Sequence, residues 1–279
     1  MDNTRMLERE LSQHFATIRV NADKAYFTDT ADLHVGSLGF DEKSLEALIE
    51  VIRTTPNFYV FIGGDSVNHA CRGSKSSQFE EYMTPREQIR GQYKNGKLIR
   101  KGLLQLFEPI KERVLGIIDG NHDGTRMKEF NSMSAAEIAA DLMGIKYFGS
   151  LAFVELVVGK NSYTHFIHHS GSTGKKMNLN ALQDRAMTWD ADLHWGEHTH
   201  RSNYGRDKVI SYDRYNKKPI VRDRLYVNAS SFLSWSGYAK DKLYPPGRTG
   251  VSIVEMNGLK GQRDIRVFER LKDFTELAK

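Results

Sequence analysis

The 279-residue chain has one cysteine, Cys71, so no disulfide can close within it and a metal site built from several thiolates is excluded. Any metal would have to be held by imidazole, carboxylate and amide oxygen. No apolar run approaches the roughly 18–20 residues of a membrane helix. The opening Met1-Asp2-Asn3-Thr4-Arg5 lacks the apolar core of a secretory signal. A cytoplasmic protein without membrane contact is therefore expected. Proline is scarce, and no internal repeat, low-complexity tract or linker interrupts the chain. One domain over residues 1–279 is expected, with 66–104 as a substrate-gating insert. Against these absences stands an ordinary globular composition, 39% hydrophobic and 27% charged. Forty Lys and Arg exceed thirty-five Asp and Glu, a net charge of +5. That excess suits an anionic partner such as nucleic acid or a nucleotide, although a charge kept for solubility gives the same balance.

The most informative stretch is Gly116 to Asp123, where the apolar run Val114–Ile118 gives way to Asn121, His122 and Asp123. Ligands of open α/β sheets gather at the carboxyl ends of strands. Gly120 is expected to let the backbone turn sharply there. Asn121 offers a carbonyl ligand, His122 a titratable imidazole, and Asp123 a carboxylate to orient it.

Four other apolar runs end in the same fashion. A strand from Lys24 runs into Asp32 and His34, and residues two apart on a strand share a face. Phe58–Ile62 leads through two glycines to Asp65. Ser162–His168 ends in His168 and His169, and Ala191–Gly196 leads to Glu197, His198 and His200. Counting one of the His168–His169 pair, five of the ten histidines thus sit at strand ends. One such histidine signifies little; five glycine-punctuated clusters of His, Asp and Asn signify a site. Their chemistry suits borderline-to-hard divalent ions, and seven ligands exceed what one zinc takes. Two ions about 3.5–4 Å apart can clamp a phosphate and activate a hydroxide.

Elsewhere, helical spacing of Met6, Leu7, Leu11 and Phe15 predicts a helix over 1–15, and Asp41 caps another reaching Arg53. A basic helix is expected over about 85–107, and a fourth, Ser134 to Met143, closes at Gly144. A short helix is expected ahead of Ala191. Strands follow at 150–158, 208–212, 224–227, 249–256 and 262–268, with turns at Pro245-Pro246 and Asn257-Gly258.

The ordered blocks Ala31-Asp-Leu-His-Val-Gly, Gly63-Gly-Asp, Gly120-Asn-His-Asp, Ile167-His-His and Gly196-Glu-His-Thr-His resemble those of the calcineurin-like metallophosphoesterases. The run from Gly63 through Met83-Thr-Pro to Gly120 is similar to phosphoesterases of phage and prophage, which would act in a host cytoplasm. The resemblance implies a two-sheet α/β sandwich with helices outside and a dinuclear site at strand ends. It assigns one metal to Asp32, His34, Asp65 and His200, and a second to Asp65, Asn121, His168 and His198. Mn²⁺ is favoured, with Fe, Zn, Co or Ni as alternatives. His122 corresponds to the histidine that assists the leaving oxygen, with Asp123 orienting it. Arg72, Lys75, Arg126, His169, Lys175 and Lys176 are candidate substrate contacts. The family's last block is usually Gly-His-x-His, so Glu197 is a departure. It reads as an outward-facing strand residue, or else as an acceptor for an imidazole. The expected activity is hydrolysis of a phosphodiester in nucleic acid or a cyclic nucleotide. A phosphomonoesterase or protein phosphatase, or a non-catalytic binder on the same fold, is the alternative.

Overall fold

A computed structural model describes residues 3–69, 83–126, 133–169, 188–235, 240 and 247–277. Its strands follow the two-residue period of a pleated backbone. β2 (Lys24–Thr30) turns Ala25 and Phe27 into one core and Tyr26 toward another. β3 (Phe58–Ile62) likewise sends Phe61 one way and Phe58, Val60 and Ile62 the other. With β6 (Val114–Ile117), β12 (Ile253–Asn257) and β13 (Ile265–Phe268), they form a sheet ordered β13-β12-β2-β3-β6, in which β2, β3 and β6 run parallel. A second, six-stranded sheet is built from β1 (Phe15–Val20), β7 (Leu151–Val158), β8 (Asn161–His168), β9 (Leu193–Gly196), β10 (Asn203–Asp213) and β11 (Lys218–Asn228), ordered β1-β7-β8-β9-β11-β10.

The sheets pack through Phe27, Phe61, Val154, Leu156, Trp195, Val227, Val254 and Met256, all buried. Each such aliphatic or phenyl side chain contributes roughly 1.5–3 kcal/mol. The outer face of the five-stranded sheet is covered by α2 (Glu42–Thr54), α4 (Leu103–Phe107), α5 (Ala135–Met143) and the carboxyl-terminal α6 (Leu271–Leu277), through residues such as Leu45, Leu48, Phe107, Ala139 and Phe274. The chain is a two-sheet α/β sandwich, as the motifs imply. No described helix is long and apolar enough to cross a membrane. Because β2, β3 and β6 are parallel, and β8 and β9 also, the residues that follow each group emerge at one edge.

Two expectations need correction. The first helix, α1, covers only Asn3–Ser12, and Phe15 begins β1. The segment 85–107 is not one helix. It is α3 (Pro85–Arg90), a hairpin of β4 (Gln92–Lys94) and β5 (Lys97–Arg100), and then α4. The hairpin turns on Asn95 (φ 51°) and Gly96 (φ 75°), the left-handed pair that a two-residue turn demands. The helix expected ahead of Ala191 and the turn at Pro245-Pro246 lie outside the described residues. The Asp41 cap holds as read, accepting from Ser44 N at 3.1 Å, while Ser134, read as the first residue of its helix, is its N-cap, with Oγ accepting from Glu137 N at 3.0 Å.

One feature of the inner core is polar. Asp29 Oδ2 lies 3.6 Å from His165 Nε2, both side chains are fully buried, and neither makes a hydrogen bond. Burial, together with the Glu197 charge, raises the Asp29 carboxyl well above its ordinary range. Burial also drives His165 down to about 3, with His194 adding to the effect. A raised carboxyl stabilises the fold below its unfolded pKa, and that contribution is lost as pH rises through the folded value. Asp29→Asn removes this term at nearly constant shape. The unfolding free energy of the variant relative to the wild type should therefore increase from pH 5 to pH 8, by about 1.4 kcal/mol per unit until the folded pKa is passed, with its melting temperature rising relative to the wild type in step. A gap independent of pH would show that Asp29 does not hold its proton in the fold.

Candidate metal centre

The side chains expected at the site reach it through an unusual backbone. Asp32, His34, Asp65, His198 and His200 all have positive φ, between 50° and 80°. An L-residue in this left-handed region is strained by about 1–2 kcal/mol, and such strain concentrates at functional sites. Here it is held by hydrogen bonds that continue the β2–β3 ladder past the strand ends. Asp32 N donates to Gly64 O, and His34 N to Asp65 O, each at 2.9 Å. Asp32 and His34 therefore converge from a loop rather than by strand alternation, and His198 and His200, beyond the end of β9, do the same. Gly120 has a different role from the expected sharp turn. A Cβ there would stand 2.1 Å from Asp65 N, so its bare backbone lets the two loops touch.

The donor atoms converge. His200 Nε2 lies 3.0 Å from Asp32 Oδ1, and His34 Nε2 3.9 Å from the same oxygen. His169 Nε2 lies 3.4 Å from Asp65 Oδ2 and 3.2 Å from His198 Nδ1. Asp32, Asp65, His169 and His198 each place one such atom within 4.8 Å of all the others, and Asp32, His34 and His200 form a second group. Donors about 2.1 Å from one tetrahedral ion stand roughly 3.4 Å apart, so these separations fit metal ligands. Both ring nitrogens of His34 and the Oδ1 of Asn121 are buried without a hydrogen bond. Buried donors of that kind, beside two carboxylates, fit divalent cations.

Charge is arranged to match. Burial pushes Asp32 up, but His200 and His169 outweigh it and bring the metal-free carboxyl to about 2. Asp65 settles well below the usual range, burial being outweighed by His169, His122 and His34. Burial takes His34 well below its ordinary value and lowers His198. It acts on His169 and His200 too, but the carboxylates of Asp65 and Asp32 lift both above the ordinary value. Cation binding would thus displace protons from His169 and His200, and affinity would rise with pH.

The structure brings Asp32, His34, Asp65, His198 and His200 together and replaces one expected ligand. His169, and not His168, faces Asp65. On β8, Tyr163 and Ile167 enter the core between the sheets, whereas Phe166 and His168 share the opposite face, their rings 5.2 Å apart. His169 continues the inward parity one residue past the strand end and thereby becomes a ligand candidate instead of a substrate contact.

Asp123 does not orient His122. Its carboxylate accepts from Ser66 N at 3.0 Å, Ser66 Oγ at 2.8 Å, Val67 N at 3.1 Å and Gly120 N at 3.2 Å, fastening the β6 loop to the β3 loop. Burial and the Asp65 charge hold it at about 7 in the metal-free protein. The partner of His122 is the Asn68 carbonyl, 2.6 Å from Nδ1, and His122 N donates to Asp65 Oδ1 at 2.7 Å. With His34 and Asp65, His122 forms a third compact group. Glu197 faces inward, fully buried, which overturns its reading as an outward residue. Arg72, Lys75, Lys175 and Lys176 lie outside the described residues, as does the side chain of Arg126.

No family model and no curated protein matches the chain. Solved structures similar to it include a conserved uncharacterized protein of Streptococcus pneumoniae described as a predicted phosphoesterase, 13% identical, with 88% of this chain and 98% of that one covered and a TM-score of 0.38. A vacuolar protein sorting 29 from Cryptosporidium parvum is 12% identical, covering 88% and 97%, with a TM-score of 0.42. A metallophosphoesterase from Sphaerobacter thermophilus is 15% identical, covering 92% and 95%, with a TM-score of 0.40. The chain itself has a mixed α/β fold and clustered residues that could hold metal.

Proposed function

We propose that the protein is a two-metal phosphodiesterase acting on nucleic acid or a cyclic nucleotide in the cytoplasm. The observation that carries this reading is the pair of overlapping donor groups, Asp32-Asp65-His169-His198 and Asp32-His34-His200. Asn121 would join the first group and Asp65 would serve both. When bound, the ions supply Lewis acidity toward phosphate oxygens and lower the pKa of water. The protein's part is positional. Asp32 and Asp65 fix the spacing of the two groups, and the left-handed loops hold the imidazoles in place before substrate arrives. With Nδ1 against the Asn68 carbonyl, His122 turns Nε2 toward Asp65, and a proton carried there would be given to the leaving oxygen. The net charge of +5, and the exposed Tyr204 and Trp235, favour a substrate that is anionic and carries a base to stack on.

The test is Mn²⁺-dependent hydrolysis of bis-p-nitrophenyl phosphate against p-nitrophenyl phosphate, with His198→Ala as control. Turnover of the diester in preference to the monoester, lost in the variant, is the expected result. Preference for the monoester would turn the assignment to a phosphatase. No turnover of either, with ions bound, would favour a binding role.

A further inference from the structure

Glu197 stands where the loops of the two sheets meet. Its Oε2 accepts from Gly64 N at 2.8 Å and lies 3.1 Å from His169 Nδ1. Gly64 belongs to the loop that delivers Asp65, and His169 follows β8 in the other sheet. One carboxylate oxygen therefore grips a loop from each sheet, at full burial. The double glycine is its complement. A Cβ on residue 63 would lie 2.2 Å from Glu197 Oε1, and one on residue 64 would lie 2.5 Å from His169 Cγ. Gly63 and Gly64 thus leave the space that Glu197 and His169 fill.

An oxygen already accepting from a backbone N–H faces Nδ1 as an acceptor, which makes Nδ1 the protonated nitrogen. Once a cation displaces the second proton, the lone pair is on Nε2, the atom 3.4 Å from Asp65 Oδ2 and 3.2 Å from His198 Nδ1. A carboxylate behind an imidazole fixes its tautomer and ring plane and strengthens it as a donor. We propose that Glu197 is a positioning residue that tunes the ion held by His169 and His198, leaving the ion held by His34 and His200 unaffected. The inference rests on the two-ion reading above. It gives the residue that departs from the Gly-His-x-His pattern a task at one half of the site.

Mn²⁺ titration calorimetry on the full chain tests it, with His198→Ala and His200→Ala identifying the two binding events. Glu197→Gln keeps an oxygen for both contacts and removes the charge; Glu197→Ala removes the grip. The event lost in His198→Ala should weaken about 10-fold in Glu197→Gln, with the other staying within about twofold, and about 100-fold in Glu197→Ala. Should Glu197→Ala fail to fold, Glu197→Gln alone decides. The inference is overturned if Glu197→Gln leaves both events unchanged. It is also overturned if both weaken equally alongside a lower melting temperature of the metal-free variant, because that marks general structural support. No binding event in the wild type would instead overturn the two-ion reading itself.

Discussion

Asp65→Asn is expected to abolish diester hydrolysis, lowering turnover by at least about 10³-fold, or about 4 kcal/mol of transition-state stabilisation. Asp65 is 1% exposed and is the carboxylate nearest the most imidazoles. Its Oδ2 lies 3.4 Å from His169 Nε2, 3.7 Å from His122 Nε2 and 4.0 Å from His34 Nε2. Asparagine preserves the shape and can keep the Oδ1 contact to His122 N, so the loops should still assemble. What disappears is a negative charge of the first donor group, one that would serve both ions in the proposed site, so calorimetry should show both Mn²⁺ events weakened. A second readout uses pH. Burial raises the metal-free Asp65 carboxyl, but the imidazoles of His169, His122 and His34 more than offset it. A depressed carboxyl stabilises the fold above its unfolded pKa of about 3.9, and the contribution is lost as pH falls through the folded value. The metal-free variant should therefore melt below the wild type at pH 7, and the difference should shrink below about pH 4. Turnover within tenfold of the wild type would remove Asp65 from the centre of the mechanism.

Much of this arrangement is legible in the chain because strand ends are local signals. The apolar runs at 24–30, 58–62 and 114–117 stop at polar residues, and the cap Asp41 announces its helix. What sequence order conceals is set by partners far away. Glu197 meets Gly64 across 133 positions, and Asp123 meets Ser66 across 57. Adjacency suggests a His122–Asp123 pair, yet neighbouring side chains on a helical turn diverge, and Asp123 reaches the other loop instead. His169 could have been found by counting parity back through Ile167 and His165, since those positions face the core between the sheets. The Asn95-Gly96 turn was visible too, but the basic, helix-favouring residues around it masked a hairpin whose strands are only three and four residues long. Phe15 satisfied helical spacing with Leu11 while also beginning an alternating strand, and the tertiary pairing of β1 with β7 decided in favour of the strand.

His122→Ala should spare the ions and impair departure of the leaving group. The imidazole is held from behind by the Asn68 carbonyl and packs edge-on to His34 at 4.5 Å, which places Nε2 beside Asp65 and within reach of a phosphate bound to the donor groups. A general acid contributes about 10²–10⁴-fold, and its value rises with the basicity of the departing oxygen. The variant should therefore lose about 10²-fold or less on bis-p-nitrophenyl phosphate, whose nitrophenolate leaves readily, and approach 10⁴-fold on a dinucleotide, whose alkoxide requires a proton. Calorimetry run on the same preparation should return both Mn²⁺ events unchanged. Equal losses on the two substrates would show that His122 stabilises charge on the phosphoryl group and transfers no proton. A missing binding event would place His122 among the ligands, as its compact grouping with His34 and Asp65 permits. The contrast between substrates, more than the size of either loss, is what assigns the proton to Nε2.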